Sequence, residues 1–234
     1  MYLIPYLFCL FLSVRRKDRF GYSTKKALIL TLLFIPIGFI GAKLWYMIEN
    51  PRAGFSFISG MSFYGTVLFV PLEQIVTAKV AKIRYDDLMD LTAPYGALCL
   101  CLCRIGCTLN GCCGAAPITI NGHEVIPPIQ LIECVLDFLL FLYLMYREKS
   151  GRILVRGEQT CVFTICYSFI RLVMEYYRDT EKELYGMSNG QWLAIITAIV
   201  AYVILNALRR KLRESRPEET PAVTSAEKDA EGNQ

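Results

Sequence analysis

Arg104-Ile-Gly-Cys-Thr-Leu-Asn110-Gly-Cys-Cys-Gly114 closes an apolar run that begins at Asp90. A guanidinium sits six residues before the end of that run, which then breaks into a turn rich in glycine and cysteine. In hydrocarbon such a charge costs ~2.5–3.5 kcal/mol at a helix centre on insertion scales, so it faces a protein interior or a wet cavity and marks a functional site by default. Arg104 therefore predicts a membrane-embedded helix with a polar layer near one end.

The composition agrees. The chain has 234 residues, is 54% hydrophobic and has a mean hydropathy of +0.38. Several stretches approach the ~20 apolar residues that span ~30 Å of hydrocarbon. These runs are continuous rather than alternating, which favours helices over a β-barrel. The expected fold is an all-α, polytopic membrane protein of about seven transmembrane helices. The net charge of +4 is no nucleic-acid signal, because the basic residues fall in short loops between apolar runs. Most of the ten cysteines lie inside apolar segments and behave as small hydrophobes. Cys99, Cys101, Cys103 and Cys107 read as a small-residue packing face, and Cys112–Cys113 as part of a tight turn. No metal site, cofactor or disulfide framework is expected.

Met1–Val14 is apolar but short of a full span, and its basic residues, Arg15-Arg16-Lys17, follow rather than precede it. It reads as a shortened first helix and not as a signal peptide. The further apolar runs are Ala27–Glu49, in which Pro36 predicts a kink, then Phe57–Thr77, Asp90–Asn110, Pro127–Tyr146, Gln159–Tyr177 and Gln191–Leu208. Residues 1–208 form the expected transmembrane domain. Arg209–Gln234 reads as a disordered tail. With seven helices, one set of loops carries 17 Lys and Arg and the opposite set carries 3. The positive-inside rule then places the C-terminus in the cytoplasm and the Gly111–Ile126 loop outside. Asp86, Asp87 and Asp90 read as a solvated helix start at the cytoplasmic edge, and His123 as a solvated loop residue.

Three cations lie within the predicted spans. Lys43, Arg104 and Arg171 each precede the outer end of their helix by six residues, about 9 Å at 1.5 Å per residue. Tyr64 falls at similar depth, and Gln130 and Glu133 lie just inside the outer end of the fifth helix. Tyr167, Arg171, Glu175 and Arg178 share one helix face, where Glu175 can orient either arginine. A structural ion pair between helices is the competing reading. The accompanying Arg104 and Lys43 favour an anion site, since one carboxylate does not satisfy several guanidinium groups and their planar forks match phosphate oxygens.

These residues resemble the prolipoprotein diacylglyceryl transferase family of bacterial inner-membrane enzymes. Gly41-Ala-Lys43-Leu-Trp-Tyr46 resembles the family's Gly-x-Arg motif and its aromatics, with Lys for Arg. Gly60-Met-Ser-Phe-Tyr64-Gly65 resembles its Gly-Gly-x-x-Phe-His-Gly-Gly segment. Arg104-Ile-Gly106 with Asn110-Gly111 resembles its signature of Arg, Gly and paired Asn. Pro128-Ile-Gln130-Leu131-Ile-Glu133 resembles its His-Pro-x-Gln-Leu-x-Glu, and Arg171 to Arg178 its Arg-x-x-x-Glu-x-x-Arg helix. Met187-Ser-x-Gly190-Gln191 resembles the small motif before its last helix. The matches run in order over about residues 41–193.

The resemblance implies transfer of the diacylglyceryl group of phosphatidylglycerol to the thiol of a lipobox cysteine in the signal peptide of a prolipoprotein. Glycerol phosphate leaves. The implied setting is the bacterial cytoplasmic (inner) membrane, with membrane lipid and prolipoprotein as partners and no nucleic acid. Arg104 and Arg171 would hold the phosphate and Tyr64 would activate or orient. Asn110, Gln130, Glu133, Glu175 and Arg178 would build the walls, and Lys43 would add positive potential. The chain departs from the family pattern at Tyr64 (for His), Cys107 (for the first Asn), Cys112 (for an acid) and Ile126 (for His). Its first helix is short, leaving Tyr2 or Tyr6 for the family's N-terminal tyrosine. The alternatives are a paralogue that acts on another acceptor or only binds anionic lipid, and, third, a small-anion transporter.

Overall fold

The structure, a computed structural model, describes residues 8, 11, 12, 14–17, 23–51, 63–120, 123–178 and 185–215; the side chains of 63–68 and of some other helical positions lie outside that description. Six long helices are described: α1 (Thr24–Glu49), α2 (Phe63–Ala81), α3 (Tyr85–Asn110), α4 (Ile129–Lys149), α5 (Glu158–Tyr177) and α6 (Asn189–Ser215). Most of the expected first helix, including Tyr2 and Tyr6, lies outside the described residues. Among the described residues three helices, α3, α4 and α6, are long and apolar enough to cross a membrane.

Helices adjacent in sequence pack as pairs, α1 on α2, α3 on α4 and α5 on α6, and α5 also packs on α3 and α4. At Gly41 the α1–α2 contact is close: a Cβ there would lie 2.5 Å from Phe69 Cβ and Cγ. The cores of these contacts are small and apolar, with Leu88, Leu91, Ala97 and Leu144 almost fully enclosed. The outward faces are apolar as well. Leu131, Val135, Phe138, Leu139 and Leu142 on α4, and Ile196, Ile199, Val200 and Val203 on α6, are all exposed. That pattern suits lipid as solvent, where backbone polar groups are satisfied within helices and the protein's polar side chains turn inward.

Between α3 and α4 a short antiparallel hairpin pairs β1 (Ile118–Ile120) with β2 (His123–Val125), Ile120 opposite His123. His123 is exposed there. The loop before it folds back on the end of α5, with Ala116 N–H donating to the Tyr177 carbonyl (3.1 Å) and Ala115 bridged to Arg178.

The opposite end of the bundle is more ordered than the sequence reading expected. Asp90 is buried, not solvated. Its carboxylate accepts from the N–H groups of Gly157 (2.7 Å) and Thr160 (3.0 Å) and from the Thr160 hydroxyl (3.0 Å), so it caps α5 from a neighbouring helix. Asp87 pairs with Arg156. Glu158 accepts from Arg147 (3.0 Å), Arg209 (2.6 Å) and the Leu154 N–H (2.8 Å). Arg16 is buried on Glu148 and stacks over the Tyr95 ring. α6 continues to Ser215, past the Leu208 boundary set for the membrane domain, so its Arg209 joins this network instead of starting the tail.

Candidate active site

The other end of α3 is closed by a Schellman turn. Gly111 takes the left-handed conformation (φ 63°), Gly111 N–H donates to the Thr108 carbonyl and Cys112 N–H to the Cys107 carbonyl. This fixes the last two turns of α3, and Arg104 within them. Arg104 is buried, with Nε 2.9 Å from Glu133 Oε2 on α4.

Glu133 is the centre of the layer. It is 2% exposed, and besides Arg104 it receives Arg178 Nη2 at 2.8 Å and Arg171 Nη1 at 3.4 Å, both from the α5 segment. Glu175 makes the second junction, 2.9 Å from Arg171 Nη2 and 3.4 Å from Arg178 Nε. Side chains from α3, α4 and α5 therefore meet at one point. The sequence places Glu175 among the arginines and Glu133 in the wall of the site; the geometry adds that three guanidinium groups gather on Glu133 of α4. The three arginines and two glutamates carry a formal charge of +1.

The arginines are not used equally. Arg171 and Arg178 each bridge both glutamates. Arg104 meets Glu133 alone, through Nε at 2.9 Å, and among the described residues its terminal nitrogens make no hydrogen bond. Its guanidinium therefore keeps donors that an anion could take.

Two more buried groups lie beside the cluster: Asp137, which sequence reasoning missed, and Tyr167, which it placed on the Arg171 face. Asp137 lies one turn after Glu133 on the same face of α4, is 1% exposed, and among the described residues its Oδ1 has no hydrogen-bond partner. The i, i+4 spacing was the available signal. Tyr167, one turn before Arg171, has a buried hydroxyl with no hydrogen-bond partner among the described residues and stacks on Phe163 with ring centroids 5.9 Å apart.

The remaining predicted residues fall around the cluster. Gln130 donates through Nε2 to the Cys112 carbonyl (3.1 Å), so it clasps the loop after α3. Asn110 is exposed at the last position of α3. Lys43 is buried on α1 with its ammonium over the Phe39 ring (5.6 Å), and the ion pairs around Glu133 do not include it. Tyr64 is the second residue of α2, but its side chain lies outside the described residues. The Met187-Ser-x-Gly190-Gln191 motif acquires a mechanical meaning. Ser188 and Gln191 form a capping box, with Gln191 N–H to Ser188 Oγ (3.2 Å) and Ser188 N–H to Gln191 Oε1 (3.0 Å). Ser188 Oγ also donates to Glu175 (3.2 Å), which ties the start of α6 to the charged layer.

The chain is similar to known proteins over most of its length. It is 26% identical to phosphatidylglycerol–prolipoprotein diacylglyceryl transferase 2 of Clostridium perfringens over 228 residues, covering 88% of each chain. It is 25% identical to the corresponding transferase of Clostridium tetani, covering 82% of this chain and 84% of that one. With the Pasteurella multocida transferase the identity is 29%, over 83% of this chain and 78% of that one. The family model described as prolipoprotein diacylglyceryl transferase matches residues 1–207. With that match spanning every helix of the charged layer, the chain belongs to the prolipoprotein diacylglyceryl transferase family.

Proposed function

We propose that this chain transfers the diacylglyceryl group of phosphatidylglycerol to the thiol of a lipobox cysteine in a prolipoprotein, forming a thioether and releasing glycerol phosphate. The observation that carries the reading is the meeting of Arg104, Arg171 and Arg178 at Glu133, within one or two turns of the ends of their helices. The reacting carbon of the lipid bears a phosphate ester. As the C–O bond breaks, negative charge grows on the departing phosphate, and preorganised guanidinium groups out of water stabilise it. Arg104 supplies the donors that Glu133 leaves over. Arg171 and Arg178, fixed from both sides by Glu133 and Glu175, supply positive potential without reorganising. The acyl chains stay in lipid beside the exposed apolar faces, and alignment of thiol and carbon supplies the remaining acceleration.

In this reading Tyr64 activates or orients at the position where the family carries histidine, Lys43 adds distant positive potential, and Asn110 and Gln130 shape the mouth. The protein crosses the bacterial inner membrane about seven times, with the basic loops and the C-terminus cytoplasmic and the Arg104 end outward. The loop charge asymmetry supports that orientation. A second reading, a lipid-binding paralogue or one with another acceptor, is favoured by one observation: Tyr64 stands where the family carries the histidine that would take the thiol proton, and a phenol is a poorer proton acceptor than an imidazole near neutral pH.

The test is a purified reaction of the protein with phosphatidylglycerol vesicles and a lipobox peptide, read by mass spectrometry. The expected product is the peptide with a diacylglyceryl thioether, lost in Arg104→Ala and Arg171→Ala. Binding of phosphatidylglycerol without product would shift the assignment to the paralogue.

A further inference from the structure

Where the family resemblance predicts asparagine and an acidic residue, this chain has Cys107 and Cys112, and Cys113 follows. The fold brings all three together: their sulfurs lie within 4.8 Å of one another. Cys107 is half-buried in the last two turns of α3, and Cys112 and Cys113 are exposed in the turn beyond it. The turn is held from three directions. The Schellman bonds fold it back over α3, Gln130 holds the Cys112 carbonyl from α4, and Cys113 sits at φ 60°, a conformation that non-glycine residues seldom adopt. All three are free thiols.

We propose that Cys107, Cys112 and Cys113 form a binding site for a thiophilic d10 metal ion, Zn2+ in the first instance. Three thiolates from one short segment suit a soft or borderline ion, while hard cations such as Mg2+ want oxygen ligands. Zinc takes four ligands in a tetrahedron, so three sulfurs leave one position for a ligand from outside. Binding forms three Zn–S bonds and releases three thiol protons to solvent, giving a complex of net charge −1. Arg104, one turn before Cys107 on α3, carries the compensating charge. The sequence alone hid the site, because Cys107 was grouped with Cys99, Cys101 and Cys103 on the helix, whereas the turn sets it against the vicinal pair.

The test does not depend on the transferase reading. The purified full chain, reduced and freed of metal, is titrated with Cd2+ as a spectroscopic probe and with Zn2+ against a chromophoric chelator. The expected result is one equivalent bound with a thiolate-to-metal charge-transfer band and proton release. The band disappears in the C107S/C112S/C113S variant, and each single serine variant weakens affinity about tenfold or more. A second measurement needs no variant: Zn2+ slows alkylation of Cys112 and Cys113 by iodoacetamide, read by peptide mapping, and leaves Cys99 and Cys166 unchanged. Full binding by the triple variant, or alkylation of Cys112 and Cys113 at the same rate with and without Zn2+, overturns the proposal.

Discussion

Glu133→Gln removes a charge while keeping the shape of the side chain, and it strikes where three helices meet. In the native layer three guanidinium groups face two carboxylates; in the variant they face Glu175 alone, and the formal charge rises from +1 to +2. The contacts at 2.8 and 2.9 Å lose their ionic character, and the third, at 3.4 Å, is weaker from the start. Breaking a buried ion pair from one side costs ~3–5 kcal/mol in soluble interiors, whereas polar contacts between membrane helices average nearer ~0.6–2 kcal/mol each. Two strong contacts and a weak one therefore give about 3 kcal/mol. For a domain of this size that lowers the thermal midpoint by about 6–12 °C. The assay is unfolding in detergent followed by intrinsic fluorescence. Adding Arg178→Gln restores the formal charge to +1 and recovers part of the loss. A Glu133→Gln midpoint within about 2 °C of the parent would refute the view of Glu133 as the junction of the layer.

Further outcomes follow from other parts of the fold. Gly41→Ala drives a methyl group to 2.5 Å from Phe69 and costs about 1–3 kcal/mol, partly regained in Gly41→Ala/Phe69→Ala; equal midpoints would show that the α1–α2 approach is looser. For Glu158 burial acts to raise the carboxyl pKa, but hydrogen bonds from Arg209, the Leu154 N–H and Arg147 outweigh it and hold the group below its ordinary value of 4.5. Its contribution to stability is thus complete above that value and lost as pH falls through the depressed one. The midpoint difference between the parent and Glu158→Gln should be constant near neutrality and shrink in acid; a pH-independent difference would remove the ionic role. Lys43→Ala should lower lipidation of the peptide less than about tenfold, under about 1.4 kcal/mol, because Lys43 stands outside the Glu133 ion pairs. A loss as large as that of Arg104→Ala would place it at the phosphate.

How much of this was legible beforehand divides along the lines of local and long-range information. Helix positions follow from apolar runs, and the common depth of Arg104 and Arg171 follows from counting residues to a helix end, so both were readable. Glu175 was paired with its arginines because i, i+4 and i, i+3 spacing is a local signal. Glu133 has its partners on other helices, which no periodicity reports, so its ion pairs were not readable. Asp90 failed for the same reason: an aspartate at a helix start looks solvated until the N-terminus of α5, 67 residues later, is brought against it. The end of α6 was set where hydrophobicity stops, yet the helix is carried on to Ser215 with Arg209 anchored on Glu158 and Arg210 paired with Glu214. Tyr64, the most consequential departure from the family pattern, has a side chain outside the described residues.

The proposed mechanism needs the guanidinium of Arg104 to bind the phosphate of a lipid as it leaves. Arg104→Ala removes that group alone, because Glu133 keeps Arg171 and Arg178 and the fold is expected to hold. In the purified reaction with phosphatidylglycerol and a lipobox peptide, turnover falls about 10²–10³-fold, while loss of the one contact to Glu133, ~1 kcal/mol, lowers the thermal midpoint by only about 2–4 °C. Undiminished lipidation by a normally folded Arg104→Ala protein would contradict it.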